Sequence, residues 1–172
     1  MQYGLSGSPL PANLLYGAPI QAACQAQQFS PFVAYAIAMR ETIRGQIDGQ
    51  WASAATVVAG DGGTGLFQIT QESWWPAAMV ADWAACNHDD PQQNCSFALK
   101  WLLLPAESYW ATQIGLTGDP LIKCIGDEFN AGRTAVINAR AQGNADLATT
   151  GKNYGTDVVD NYHRLVNGQA PV

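Results

Sequence analysis

Residues 30–42 read Ser-Pro-Phe-Val-Ala-Tyr-Ala-Ile-Ala-Met-Arg-Glu-Thr, and this stretch decides the fold. Ser30-Pro31 is a helix start signal: a hydroxyl at the capping position, then proline at the first helical position, where a missing N–H does no harm. Residues 32–44 follow as a helix, and Gly45 stops it. Val33 through Met39 are apolar almost all round, the pattern of a helix buried at the centre of its domain. A glutamate sits near the C-terminal end of this helix. Glu41 lies four residues after Ile37 and eight after Val33, beside the apolar face. The C-terminal end of the helix dipole also disfavours negative charge. Burial and dipole together favour the protonated acid. Such an acid in an apolar cleft can hand a proton to a glycosidic leaving oxygen. On periodicity alone, a solvated Glu41 paired with Arg40 or Arg44 is the plainer reading.

Outward from this helix, residues 1–19 are rich in Gly, Ser and Pro and read as an irregular leader to a single domain, residues 20–172. A short helix is expected over 20–28. Gly60-Asp61-Gly62-Gly63 is a turn signal flanked by Thr56-Val57-Val58 and Leu66-Phe67-Gln68-Ile69, so 48–70 reads as a small hairpin or irregular lobe. Helical patterns return over 71–85, 92–104, 120–130, 131–141 and 153–166. The expected architecture is mainly α, a central buried helix with a small β-hairpin lobe.

Composition narrows the function classes. With 48% hydrophobic and 13% charged residues, the 172-residue chain is a folded domain rather than a disordered tail. A net charge of -6 argues against nucleic acid as a partner. No apolar run is long enough to span a membrane, and 1–19 lacks the basic start and apolar stretch of a secretory signal. Of the four cysteines, Cys86 and Cys95 flank a polar loop and are the expected disulfide for a protein working outside the cytoplasm; buried free thiols are the alternative. Cys86, His88 and Cys95 do not have the spacing of a zinc site, so no metal and no cofactor is expected.

Three separated motifs occur in one order. Ala36-Ile37-Ala38-Met39-Arg40-Glu41-Thr42 resembles the central helix of the lysozyme-like soluble lytic transglycosylases, which ends in Glu-Ser. Gly65-Leu66-Phe67-Gln68-Ile69 is similar to that family's Gly-Leu-Met-Gln-Ile segment. Phe129-Asn130-Ala131-Gly132 resembles its Tyr-Asn-Ala-Gly turn. A weaker match, Tyr154 through Tyr162, resembles the closing helix, so the likeness runs from 36 to 162.

The resemblance implies a lysozyme-like fold and cleavage of peptidoglycan glycan strands. Glu41 would be the single acid/base. Thr42, Gly65, Leu66, Phe67, Gln68, Ile69, Phe129, Asn130, Tyr154 and Tyr162 would line or support the sugar cleft. Asn130 would hold substrate or the catalytic carboxyl, although a helix-capping Asn is the plain alternative. Leu66, Phe67 and Ile69 read equally well as core. Phe129 replaces the family tyrosine and loses a hydroxyl near the acid; Tyr154 or Tyr162 are the replacements to look for. Most of the six tryptophans should be core, with Trp51 the better candidate for sugar stacking.

Two mechanisms remain open. A lytic transglycosylase uses the sugar's own 6-hydroxyl and yields a 1,6-anhydro product. A hydrolase needs a second carboxylate to activate water. Asp61 is the candidate, and Gly60-Asp61-Gly62-Gly63 resembles the aspartate-bearing hairpin of goose-type lysozymes; an ordinary Asp-Gly turn is the other reading. The single carboxylate is favoured. A catalytically silent wall-binding or virion module is the non-enzymatic alternative. The expected setting is the bacterial wall in the periplasm, reached by a phage lysis enzyme or a virion-associated protein with virion proteins as partners.

Overall fold

α2 (Pro31–Glu41) is the centre of the molecule. The computed structural model describes residues 8–42 and 62–169. All nine residues from Pro31 to Met39 are buried, and the seven from Val33 to Met39 are 0% exposed. Burying each large side chain among them is worth ~1.5–3 kcal/mol, so packing, not local propensity, makes this helix. Ser30 and Pro31 take the N-cap and first helical positions as read, but the Ser30 side chain does not cap the helix amides. At the other end Thr42 N–H bonds Ala38 O at 2.9 Å. Arg44 and Gly45 lie outside the described residues.

The stretch before α1 (Gly17–Gln27) is irregular but not loose. Leu10 is buried in the core, and Tyr35 Oη donates to Leu15 O at 2.8 Å. α1 starts three residues earlier than the sequence predicts. It turns Ile20, Ala23 and Cys24 inward, at the three- and four-residue spacing of one helix face.

Of the expected hairpin, only 62–70 lies within the described residues, and it forms no strand. It is a tight turn closed by one antiparallel bridge, Thr64 N–H to Ile69 O at 3.1 Å and the reverse at 3.0 Å. Helix α3 (Ala77–Ala85) begins later than the predicted 71, because Pro76 disfavours a helical backbone in the residue before it.

The predicted stop at Leu104 also moves. α4 (Pro91–Ala98), capped by Asp90 onto Gln92 and Gln93 N–H, runs through a π turn, Leu99–Leu103, into α5 (Leu104–Ser108) and a second π turn, Tyr109–Gln113. Pro105 carries no N–H and its ring crowds the preceding turn. The wider i→i+5 ring ending at Leu104 N–H makes room for it, so the proline passes without a break.

α6 (Gly118–Ala131), α7 (Arg133–Ala141) and α8 (Tyr154–Val166) follow, with two 3₁₀ turns, Ala145–Ala148 and Thr150–Lys152, before α8. α1 and α8 flank α2; α6 packs on α8, and α4 on α1. The described fold is therefore mainly helical. No described helix is long and apolar enough to cross a membrane.

Candidate active site

Where α2 ends, the chain opens a cleft of about 1260 Å3. Its wall includes Arg40 and Glu41 from α2, Gln68, Ile69 and Thr70 from the tight turn, Trp74 and Trp75, the Trp101–Pro105 stretch, the α6–α7 corner around Glu128 to Asn138, and Tyr154 from α8.

Glu41 is half-buried, and the Tyr154 hydroxyl donates to its Oε1. Tyr154 is 2% exposed. Burial, and next the nearby Glu41 carboxylate, raise the phenol well above its ordinary pKa, so Tyr154 keeps its proton and acts as a donor. The Arg40 guanidinium lies 5.2 Å from the centre of the Tyr154 ring and 3.2 Å from Asp157. Of the two tyrosines expected to offer a hydroxyl near Glu41, Tyr154 is the one that reaches it. Tyr162 does not line the cleft; its ring packs edge-on against Phe32.

The turn that carries Gln68 is held from behind. Thr42 Oγ1 donates to Leu66 O at 2.9 Å. Asn94, fully buried, accepts from Phe67 N–H at 2.9 Å and donates to Thr64 O at 3.4 Å. Gly65 has φ +74°, and a Cβ there would sit 2.3 Å from Asn94 Nδ2, so only glycine fits. Thr42, Gly65, Leu66 and Phe67 therefore build the cleft from below and do not line it: Leu66 and Phe67 are core. Gln68 is the residue this scaffold presents. Its φ is +45°, an uncommon backbone for a side-chain-bearing residue. Its Nε2 donates to Gly65 O at 2.8 Å, while its Oε1 is a buried acceptor with no donor among the described residues.

Phe129 lines the cleft, edge-on to Phe67. Asn130 is exposed on the same wall. Its Oδ1 accepts from Thr150 N–H at 3.1 Å, so part of its amide secures the 3₁₀ turn before α8. Asp61 and Trp51 lie outside the described residues.

Several cleft features were not legible in sequence. Glu72 and Glu128 both line the wall. Glu128 is committed to a cluster, accepting from Trp110 Nε1 at 2.8 Å and Arg133 at 2.8 and 3.1 Å, with Arg133 stacked 4.5 Å over Tyr109. Trp74, expected within a helix, precedes α3 and is 67% exposed on the cleft, whereas Trp75, Trp83 and Trp110 are core.

The Cys86–Cys95 bridge is not formed: all four cysteines are free thiols. Cys95 is fully buried where α4 meets α1, and its neighbour there is Cys24. Cys86 ends α3 and is only half-buried, so the two thiols occupy different surroundings. Burial, then Cys24, hold the Cys95 thiol well above the usual range.

No family model matches the chain, and no curated protein and no solved structure matches it either.

Proposed function

We propose that this chain is a lytic transglycosylase of lysozyme-like fold. It would cleave the β-1,4 bond between N-acetylmuramic acid and N-acetylglucosamine in peptidoglycan, with Glu41 as its single acid/base. One observation carries the reading. The carboxyl that the ordered motifs single out ends a helix buried from Pro31 to Met39, opens on the cleft and is held by a buried tyrosine hydroxyl.

The chemistry needs few groups. Glu41 as the acid gives its proton to the leaving O4 as the glycosidic bond breaks. The carboxylate so formed takes the proton of the sugar's 6-hydroxyl, whose oxygen closes on C1 to give the 1,6-anhydro ring. The attacking group is tethered to the reacting sugar, so proximity does the work that a second carboxylate does for water. Glu41 ends protonated again, and no atom is left over. Tyr154 steadies the carboxylate during the base step.

Gln68 supports the sugar reading, because its buried Oε1 is an acceptor suited to the N–H of an N-acetyl group. Trp74, exposed on the same wall, offers a stacking face. The setting we propose is the bacterial wall, opened by a phage-type lysis or virion-associated enzyme.

The test is turbidity loss of purified peptidoglycan with native protein and Glu41→Gln. The variant should fold as the native chain does and lose ~10²-fold or more in rate. A variant within a few fold of native would end the assignment.

A further inference from the structure

The first turn of α8 rests on two buried carboxyls that the reaction itself does not use. Asp127 on α6 is 0% exposed and Asp146, in the 3₁₀ turn, is 2% exposed. Asp127 Oδ1 accepts from Gly155 N–H at 2.8 Å. A Cβ on Gly155 would lie 2.5–2.6 Å from the atoms of that carboxyl, so the approach requires glycine. Asp146 Oδ1 accepts from Thr156 N–H at 3.2 Å; its Oδ2 accepts from Thr156 Oγ1 and from Lys123 Nζ. Tyr154 N–H is taken by Thr149 Oγ1 at 3.3 Å. Three consecutive amides that a helix start leaves unpaired are thus each bound by a side chain, and two of those side chains are acids at the favourable end of the dipole.

The donors are unevenly shared. Lys123 and Thr156 converge on Asp146, whereas Asp127 Oδ2 is buried with no donor among the described residues and its neighbour is Asp146. Two carboxylates in one buried site do not both ionise readily. Charge belongs on Asp146, and the proton belongs on Asp127 Oδ2, where it can be donated to Asp146.

We propose that Asp127 and Asp146 share one proton and together act as positioning residues that hold Tyr154 against Glu41. The pair stands on its own geometry; only its consequence for catalysis rests on the acid/base reading of Glu41.

Burial, then Asp146, push Asp127 up to about 7. Burial works to raise Asp146 as well, but the hydrogen bonds from Lys123, Thr156 and Asp127 outweigh it and hold that carboxyl below its usual range. The titratable groups that face Asp127 are Asp146, Lys123 and Cys124 beside it and Tyr154 on α8; Tyr154 in turn faces Glu41 and Arg40 at the end of α2, and Arg40 pairs with Asp157. Among the described residues Lys123 is the one cation bonded to the pair, and it already serves Asp146. As pH rises through about 7, Asp127 ionises beside a charged Asp146, and the turn that carries Tyr154 is pushed from its seat.

The test is a ¹³C-NMR titration of the full chain labelled at tyrosine Cζ, from about pH 5.5 to about pH 8.5, a window centred on the neutral range. The Tyr154 resonance is assigned by its loss in Tyr154→Phe. In native protein it should move with a midpoint about 7. In Asp127→Asn the amide can donate to Asp146 at every pH while its oxygen still accepts from Gly155, so this step should vanish. In Asp146→Asn the like charge is gone and the midpoint should fall. A native resonance that does not move, or an unchanged step in both variants, overturns the pairing. With peptidoglycan as substrate, Asp127→Asn should match the kcat that native protein shows well below that midpoint, lose the alkaline decline, and leave KM unmoved. If native protein cleaves nothing while the NMR step behaves as stated, the catalytic reading fails and the shared proton stands.

Discussion

The helices on either side of α2 hold it in different ways. α1 buries Gly17, Ile20, Ala23 and Cys24, with no polar side chain among them. α8 buries Tyr154, Gly155, Val158, Asn161 and Leu165. Its first turn hangs on Asp127, Asp146 and Thr149, and Asn161 Nδ2 donates to Ala36 O at 3.4 Å. Apolar contact is non-directional, so the α1 side supplies cohesion. Hydrogen bonds have preferred lengths and angles, and a buried one left unmade is costly, so the α8 side supplies aim. The helix that carries the tyrosine facing Glu41 is the one fixed by direction. On this view the α1 side sets how stable the protein is, and the α8 side how well it works.

The comparison is broken most strongly from the α1 side. Ile20→Ala should cost about 2–5 kcal/mol of stability, as buried large-to-small changes do. Its folded fraction should still turn over at the native kcat. Chemical denaturation gives the first quantity and single-turnover cleavage the second. A fall in kcat with stability intact would erase the distinction between the two sides.

Tyr154→Phe is the matching change on α8. It removes one hydrogen bond to a charged group, worth about 1.5–3 kcal/mol, so kcat should fall by roughly tenfold to a hundredfold. The melting point should move little, because the ring remains. Native kcat in this variant would mean that the hydroxyl does not serve Glu41.

The smallest expected effect concerns a lone buried acid, a control for the pair. Glu107 on α5 is 6% exposed, and burial raises it to about 7. The unfolded chain gives up this proton near the ordinary glutamate value of about 4.3. The folded chain keeps it until about 7. Between those values the native state binds more protons, so Glu107 makes stability fall as pH rises and adds no further slope above about 7. Glu107→Gln should flatten that part of the melting-temperature profile by roughly a few degrees. It should leave the Tyr154 resonance untouched, since Glu107 is not among the groups that shift Tyr154. An unchanged melting profile would mean that Glu107 is ionised in the fold.

How much of this was readable in sequence follows from how local each feature is. α2 was legible because one helix with no polar face can only be a core helix. The order of the three motifs grouped Glu41, Gln68 and Asn130, and these do line one cleft; Tyr154 was one of two tyrosines expected near Glu41, and it is the one that reaches it. The stop at Leu104 failed because a proline rule assumes an α turn, and here a π turn makes room. The disulfide failed because a polar loop between Cys86 and Cys95 says nothing of where each thiol points. Asp127 and Asp146 left no signal at all. They sit on separate elements, and an Asp before a helix or inside one reads as solvated until the neighbours are known.

The central claim is that Glu41 works with the sugar's own hydroxyl. Mass analysis of the muropeptides released from purified peptidoglycan tests it most directly. Native protein should release fragments ending in 1,6-anhydro-N-acetylmuramic acid, and Glu41→Gln almost none. Reducing-end fragments one water heavier would contradict it and put a water-activating carboxylate in place of the 6-hydroxyl.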